Sequence, residues 1–225
     1  MTSNNPQDIK GFYDKRAKDD FIERYQNVPF YFKGKAFLEQ IIQKSIRPHA
    51  RLLDVGCGPG HLTADLLGSV QVVGIDLSPE MLKKAIAARP QGQYILHNFH
   101  YPLPNDLPPF DIIFASGAFD LCNDLDLAFS SLAESLKEQG VFYFTIPESR
   151  QGTPNNGERE ILARPKEQPE NPVWLKFFTF QEVVGVLDQA GLAPISYEYA
   201  AGYRSNSLGI HIDYGYWVVA KKTVV

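Results

Sequence analysis

Apolar residues fall into short runs divided by polar, glycine-marked turns, and the runs alternate between strand-like and helical spacing. Residues 51–55 form an apolar run with one acid near its end. Glycines at 56, 58 and 60 follow, then a helix-like stretch carrying Leu62, Leu66 and Leu67 and ending by Gly68. A second run at 70–75 ends in Asp76, after which Ser78 and Pro79 supply an N-cap and a first-turn proline for a helix bearing Met81, Leu82, Ala85 and Ile86. Further strands are predicted at 93–97, 110–115 and 141–146, the last preceded by a helix from about 124 to 136 that stops at Gly140. Upstream, Phe37, Leu38, Ile41, Ile42 and Ile46 recur at helical spacing, and Pro48 closes that segment. Regular alternation of strand and helix predicts an α/β fold with a mostly parallel sheet covered by helices.

Two stretches break the pattern. Residues 11–32 mix charge with aromatics (Phe12, Tyr13, Phe21, Tyr25, Phe30, Tyr31, Phe32) at weak periodicity, and residues 148–173 carry Pro154, Pro165, Pro169 and Pro172 among polar residues. The second is expected to be a long loop or lid. Order resumes with Thr179-Phe180-Gln181-Glu182, a capping-box pattern that opens a helix stopped by Gly191. Aromatic and β-branched residues at 195–199 and 214–220 predict two closing strands, antiparallel to each other. The expected organisation is one domain over 1–225, with an N-terminal cover at 1–34 and a lid or substrate loop at 148–178.

Composition narrows the function classes. The chain has 225 residues, 44% hydrophobic and 21% charged, which suits one ordinary globular domain. A net charge of -4 offers no footprint for a phosphate backbone, so no nucleic-acid partner is expected. The two cysteines, Cys57 and Cys122, lie in no metal or redox spacing, and no metal is expected. The first residues lack a basic cluster and an apolar core, and no later run reaches membrane-spanning length, so a cytoplasmic protein without a membrane partner is the expectation. Oligomeric state is not legible.

A strand, a glycine turn and an acid at the end of the next strand suit two ligand classes, dinucleotides and S-adenosylmethionine. A dinucleotide turn needs a third glycine at position 61, and His61 stands there. Asp54 lies before the first glycine, where it can receive a ligand ammonium and would repel a pyrophosphate. At this point the chain resembles the class I S-adenosylmethionine-dependent methyltransferases over roughly 35–221. Leu53-Asp54-Val55-Gly56-Cys57-Gly58-Pro59-Gly60 resembles their first motif and Val73-Gly74-Ile75-Asp76-Leu77-Ser78-Pro79-Glu80-Met81-Leu82 their second. Asn98 and Phe99 stand where the family has an acid and a small residue near the adenine, and the stretch from Phe110 to Phe119 resembles the fourth motif, whose trailing residues lie beneath the sulfonium.

The resemblance implies a Rossmann-like three-layer sandwich: a mostly parallel seven-stranded sheet with an antiparallel C-terminal strand, plus N-terminal helices. It assigns cofactor contacts to Asp54, Gly56, Cys57, Gly58, Gly60, Asp76, Leu77, Met81, Asn98, Phe99, Ser116 and Phe119. Asp76 would take both ribose hydroxyls and Asp54 the amino group. Cys57 also reads as a small residue tolerated in a turn, and Met81 as a core position. S-adenosylhomocysteine would be the product.

Methyl transfer needs collinear reactants in a dry site more than it needs an acid or base, so the sequence is quieter about the acceptor. Tyr13 and His100 are the candidate catalytic residues, each with a structural or surface alternative. Arg150, Trp174, Tyr199, Tyr203, Arg204 and His211 qualify only because their segments should overhang the sheet's carboxyl edge. Ser116-Gly117-Ala118-Phe119 replaces the proline-rich turn of amino-group nucleic-acid methylases, and no Pro-Cys nucleophile appears. The expected acceptor is a small, partly apolar molecule. A non-catalytic sensor or scaffold domain, a protein methyltransferase and an NAD-dependent oxidoreductase are the alternatives.

Overall fold

The computed structural model describes residues 4–18, 28–45, 50–66, 68–152, 157–165, 169–205 and 209–222. Phe21, Tyr25, Ile46, Pro48, Leu67 and Pro154, and the side chains of Phe30, Ile41, Ile42 and Tyr203, lie outside the described part. Helices α1 (Pro6–Arg16) and α2 (Pro29–Ser45) precede β1 (Arg51–Val55). Then come β2 (Gln71–Asp76), α3 (Pro79–Ala88), β3 (Gln93–Leu96), β4 (Phe110–Ala115), α4 (Leu125–Glu134) and β5 (Leu136–Pro147). The chain continues through β6 (Glu160–Ala163), β7 (Val173–Lys176), α5 (Phe180–Gln189), β8 (Leu192–Arg204) and β9 (His211–Lys221).

Seven strands form one sheet in the order β3-β2-β1-β4-β5-β9-β8. Every neighbouring pair is parallel except those made by β9, which runs antiparallel to both β5 and β8. The Rossmann-like architecture is therefore present, with its antiparallel strand last. The central strands are apolar on both faces because helices cover both. On one face Leu53, Ile113, Phe142, Phe144 and Trp217 pack with Phe129 and Leu132 of α4 and Val183 and Leu187 of α5. On the other, Leu52, Ile112, Phe114, Tyr143 and Tyr214 meet Phe12 of α1 and Leu38 of α2. Helix starts follow local chemistry: Ser78 caps α3, Asp124 caps α4, and Thr179 and Glu182 close a reciprocal capping box on α5.

Three expectations change. Instead of a helix after the glycine turn, only a 3-10 turn at Ala64–Leu66 forms. The Thr63 hydroxyl donates to Asp54 and its carbonyl accepts from Leu66, so the segment is held by bonds that compete with helical ones. The helix before β5 ends at Glu134, and the strand begins at Leu136 rather than 141, because Leu136 pairs with Phe110. Gly140 consequently lies inside β5, over the Leu136 side chain, and stops no helix. Within 148–173 the chain makes a hairpin, β6 against β7, rather than an unstructured loop. Ala163, Val173 and Leu175 of that hairpin pack into the core on the α1 face.

The N-terminal segment is anchored to this hairpin. Asn4 is 4% exposed; its Oδ1 accepts from the Trp174 amide at 2.8 Å and its Nδ2 donates to the Trp174 carbonyl at 2.8 Å. Asn4→Ala leaves both main-chain groups unpaired, at about 1–3 kcal/mol each. We expect amide exchange across residues 5–16 to accelerate at least tenfold in that variant, with exchange in β1 and β4 unchanged.

Candidate active site

In an open α/β sheet the strand order reverses at one point, and the crevice beyond the carboxyl ends there receives ligands. Here the reversal lies between β1 and β4. A cavity of about 280 Å³ opens at that place, with walls from the segments that follow β1, β2, β3 and β4 and a cover from Pro6, Ile9 and Tyr13 of α1. Asp54, Gly56, Cys57, Gly58, Asp76, Leu77, Met81, Asn98, Phe99 and Ser116 all line it, as do Tyr13 and His100. Ten of the twelve expected cofactor contacts are thus brought together.

The two exceptions have structural places. Phe119 is fully buried and packs on Phe99, Phe129 and Phe144, away from the cavity. Gly60 adopts φ +70°, and a Cβ there would come within 3.1 Å of the Tyr94 hydroxyl; it shapes the turn from behind.

A buried acid, Asp54, and a half-buried one, Asp76, dominate the electrostatics. Asp54 is 3% exposed, and burial pushes its carboxyl up to about 7, opposed by the Thr63 hydroxyl at 2.8 Å and reinforced by the Asp76 charge. Asp76 is also raised, chiefly by burial, although its oxygens accept from the amides of Ser78 and Gly58 at 2.8 Å each. The Leu77 amide also favours the charged form, and since a carboxylate has about four acceptor sites, Asp76 keeps capacity for a ligand hydroxyl. Among the described residues no Lys or Arg lies on the wall. A cation with hydroxyl donors therefore fits this pair, and a pyrophosphate does not.

Asn98 is more constrained than its residue type suggests. Its Oδ1 accepts from the His100 amide at 3.1 Å and lies 2.7 Å from His100 Nδ1. The main-chain donor fixes which end is oxygen, so the amide NH2 is the group left to meet a ligand. The same contacts weigh against His100 as a base. With Nδ1 on Asn98 and Nε2 3.4 Å from Cys122 Sγ, both ring nitrogens are engaged within the protein. This Cys122–His100–Asn98 line does not make a nucleophile either, because burial pushes the thiol up to about 12. Burial likewise raises the Cys57 thiol well above its usual value, consistent with a packing role in the turn.

Sequence reasoning missed several walls. His61, noticed only as a missing glycine, stacks on Tyr31 with centroids 5.5 Å apart, and burial lowers its imidazole to about 4, so it is a neutral aromatic surface. Asp120 lies on the wall, half-buried as a residue but with its Oδ1 shielded from solvent. Its Oδ2 accepts from the Tyr214 hydroxyl at 2.8 Å, its Oδ1 has no hydrogen-bond partner among the described residues, and burial pushes the carboxyl up to about 7. An acid inside the apolar run Ala118-Phe119-Asp120-Leu121-Cys122 was the available signal. The candidates at Arg150, Trp174, Tyr199, Arg204 and His211 do not line the cavity. Arg150 bonds Glu148 and covers Tyr199, and His211 sits 2.9 Å from Asp213. None of the described residues of 148–178 lines the cavity, and Ala163, Val173 and Leu175 pack on the α1 face.

Asp54→Asn gives opposite effects on stability and binding. Because the folded-state pKa is raised from 3.8 to about 7, the stability tied to this acid is complete below about pH 4 and is lost as pH rises through 7. The variant should melt at the wild-type temperature near pH 4 and several degrees higher at pH 8, while losing affinity for an ammonium-bearing ligand. Scanning calorimetry at the two pH values checks the sign.

Comparison with known proteins agrees with this geometry. A family model described as a methyltransferase domain matches residues 46–181. Malonyl-[acyl-carrier protein] O-methyltransferase of Methylovorus sp. is 31% identical over 144 residues, covering 56% of this chain and 48% of the relative. Trans-aconitate 2-methyltransferase of Variovorax paradoxus is 32% identical over 117 residues, covering 51% and 45%. The chain thus spans about half the length of these relatives. Among solved structures, an S-adenosylmethionine-dependent methyltransferase from Clostridium acetobutylicum superposes with a TM-score of 0.67 at 19% identity, covering 98% of this chain and all of the other, a likeness of fold. Among the described residues no helix is long and apolar enough to cross a membrane. With the motif residues gathered at the switch point and the family model spanning more than half of its length, the chain belongs to the class I S-adenosylmethionine-dependent methyltransferases.

Proposed function

We propose that this chain transfers a methyl group from S-adenosylmethionine to a small-molecule acceptor held in the cavity between α1 and the carboxyl ends of β1 and β4. The observation that carries this reading is the pair Asp54 and Asp76, a buried and a half-buried acid on one wall, with no lysine or arginine on it among the described residues. Asp76 receives the ribose hydroxyls, and Asp54 faces the amino group, whose charge restores the carboxylate that burial disfavours. Asn98 donates its amide to an adenine ring nitrogen, with Leu77, Met81 and Phe99 as apolar neighbours. Gly56, Gly58 and Cys57 present main chain to the methionine part. When bound, S-adenosylmethionine supplies an electrophilic methyl on a sulfonium.

The protein's own contribution is position and dryness. Pro6, Ile9 and Tyr13 cover the cavity, and Tyr31 with His61 forms an aromatic wall. Enclosure of this kind aligns an acceptor and excludes water. The names of the two relatives, acting on malonyl-[acyl-carrier protein] and trans-aconitate, agree with a metabolite-scale acceptor, as does the size of the cavity. Calorimetric titration with S-adenosylhomocysteine should give a dissociation constant on the micromolar scale usual for enzyme substrates. Absence of heat with that ligand, or saturation by a nicotinamide dinucleotide in its place, would refute the proposal.

A further inference from the structure

Four aspartates lie on the cavity wall, at 54, 76, 120 and 124. They are not equivalent. Asp54 and Asp76 belong to the donor side, and Asp124 is spent as the cap of α4, accepting from the Leu127 amide at 3.0 Å. Asp120 remains. It is held on β9's side by Tyr214 alone, with one oxygen unpartnered among the described residues. The charged and titratable groups that face it are Arg16 from α1, whose guanidinium lies 4.8 Å over the Phe12 ring, and Tyr214 and Tyr216 from β9. From β7 only the Lys176 amide approaches, donating to the Asp120 carbonyl at 3.3 Å. A carboxylate oxygen that is itself buried and unpartnered among the described residues is costly to keep unless something bound completes it.

We propose that the acceptor is an amine whose N–H is received by Asp120, and that carboxylate acceptors are excluded from this cavity. The inference rests on the methyltransferase reading of the same site. An anionic acceptor would enter a wall of aspartates on which no lysine or arginine lies among the described residues, Arg16 facing Asp120 from off that wall, with like charge at short range. An ammonium meets the opposite situation. In the step itself, the ammonium gives one proton to the Asp120 carboxylate, and the freed nitrogen lone pair forms the N–C bond. The C–S bond breaks as that bond forms, with its electron pair going to sulfur and neutralising the sulfonium. The methylated ammonium leaves, and Asp120 returns its proton to water. Burial supports the proton-accepting role, since it raises the carboxyl to the neutral range where a general base is most effective. Tyr31 and His61 give the ring of an arylalkylamine an aromatic surface.

The test uses the complex with S-adenosylhomocysteine and three probes of one carbon frame: benzylamine, benzyl alcohol and benzoate. Benzylamine should bind the complex at least tenfold more tightly than benzoate, with the alcohol between them. Asp120→Asn should remove that preference while leaving S-adenosylhomocysteine affinity within about twofold. With S-adenosylmethionine and benzylamine, wild-type kcat should fall as pH drops through the neutral range, and Asp120→Asn should lower kcat by about 10²-fold and flatten that limb. Tyr214→Phe keeps the carboxylate but removes the donor that holds its pKa down, so the limb should move to higher pH. Benzoate binding as well as benzylamine, binding of neither, or an unchanged preference in Asp120→Asn would overturn the assignment. Failure of S-adenosylhomocysteine to bind at all would instead strike the methyltransferase reading beneath it.

Discussion

Asp76→Ala should lower affinity for S-adenosylhomocysteine by about 10²–10⁴-fold while leaving the protein folded. Two hydrogen bonds from the ribose to an ionised carboxylate are lost, each worth roughly 1.5–3 kcal/mol, and a tenfold change corresponds to about 1.4 kcal/mol. The variant also frees the amides of Gly58 and Ser78, which Asp76 holds at 2.8 Å each, so the glycine turn loses the brace that ties it to the end of β2. The fold tolerates the change because burial already raises the Asp76 carboxyl, and removing such a group relieves a cost in the ligand-free protein. Asp76→Asn separates charge from shape: it retains one acceptor and should lie between the wild type and Ala. Isothermal titration of the three proteins decides the matter. An Ala variant within tenfold of the wild type would remove Asp76 from the cofactor contacts.

The second large effect is expected from Gly56→Val. Gly56 adopts φ +64°, and a Cβ built there would lie 2.9 Å from the Ala118 Cβ. A β-branched residue at positive φ is strained by itself, at about 1–2 kcal/mol. Overpacking against Ala118 adds about 1–3 kcal/mol. Together these should lower the melting temperature by roughly 5–15 °C for a chain of this size. Relief can come only by moving the β1 turn or the β4 turn, and both are cavity walls, so cofactor binding should fall with stability. Gly11 offers the comparison, since a Cβ there meets nothing within 4 Å and its backbone is helical; Gly11→Ala should stabilise slightly. Thermal unfolding followed by circular dichroism distinguishes the two variants.

The part of the site nearest the sheet was legible because local sequence and local geometry coincide there. Asp54 and Asp76 end two adjacent parallel strands, and Asp54 is in register with Gly74 and Asp76 with Leu96, so knowing the strands was enough to place the acids on one edge. Phe119 and Gly60 show the limit of that reasoning. Both stand within matched motifs, yet one turns into the core of Phe129 and Phe144 and the other backs onto Tyr94, because the side chain's direction depends on neighbours distant in sequence. Asp120 was passed over for the converse reason: in a run of apolar residues it reads as an interruption, and its meaning lies in Tyr214, 94 residues away.

By itself, the sequence determined the alternation of strands and helices, the caps at Ser78 and Thr179, and the glycine-and-acid signature of the methyl donor. These depend on residues close in the chain, where turn chemistry and periodicity act directly. Only the tertiary structure decided that β6 and β7 pair as a hairpin against the core, that α1 covers the cavity, that the Asn98 oxygen is taken by His100, and that Asp120 keeps one buried oxygen without a partner among the described residues. Most of those facts are contacts between segments distant in the chain; the Asn98–His100 contact is local but depends on the side-chain conformation, which residue types alone do not give. Burial, which sets the protonation of Asp54 and Asp120 and the silence of Cys57, is a property of the packed molecule that no local stretch of sequence carries.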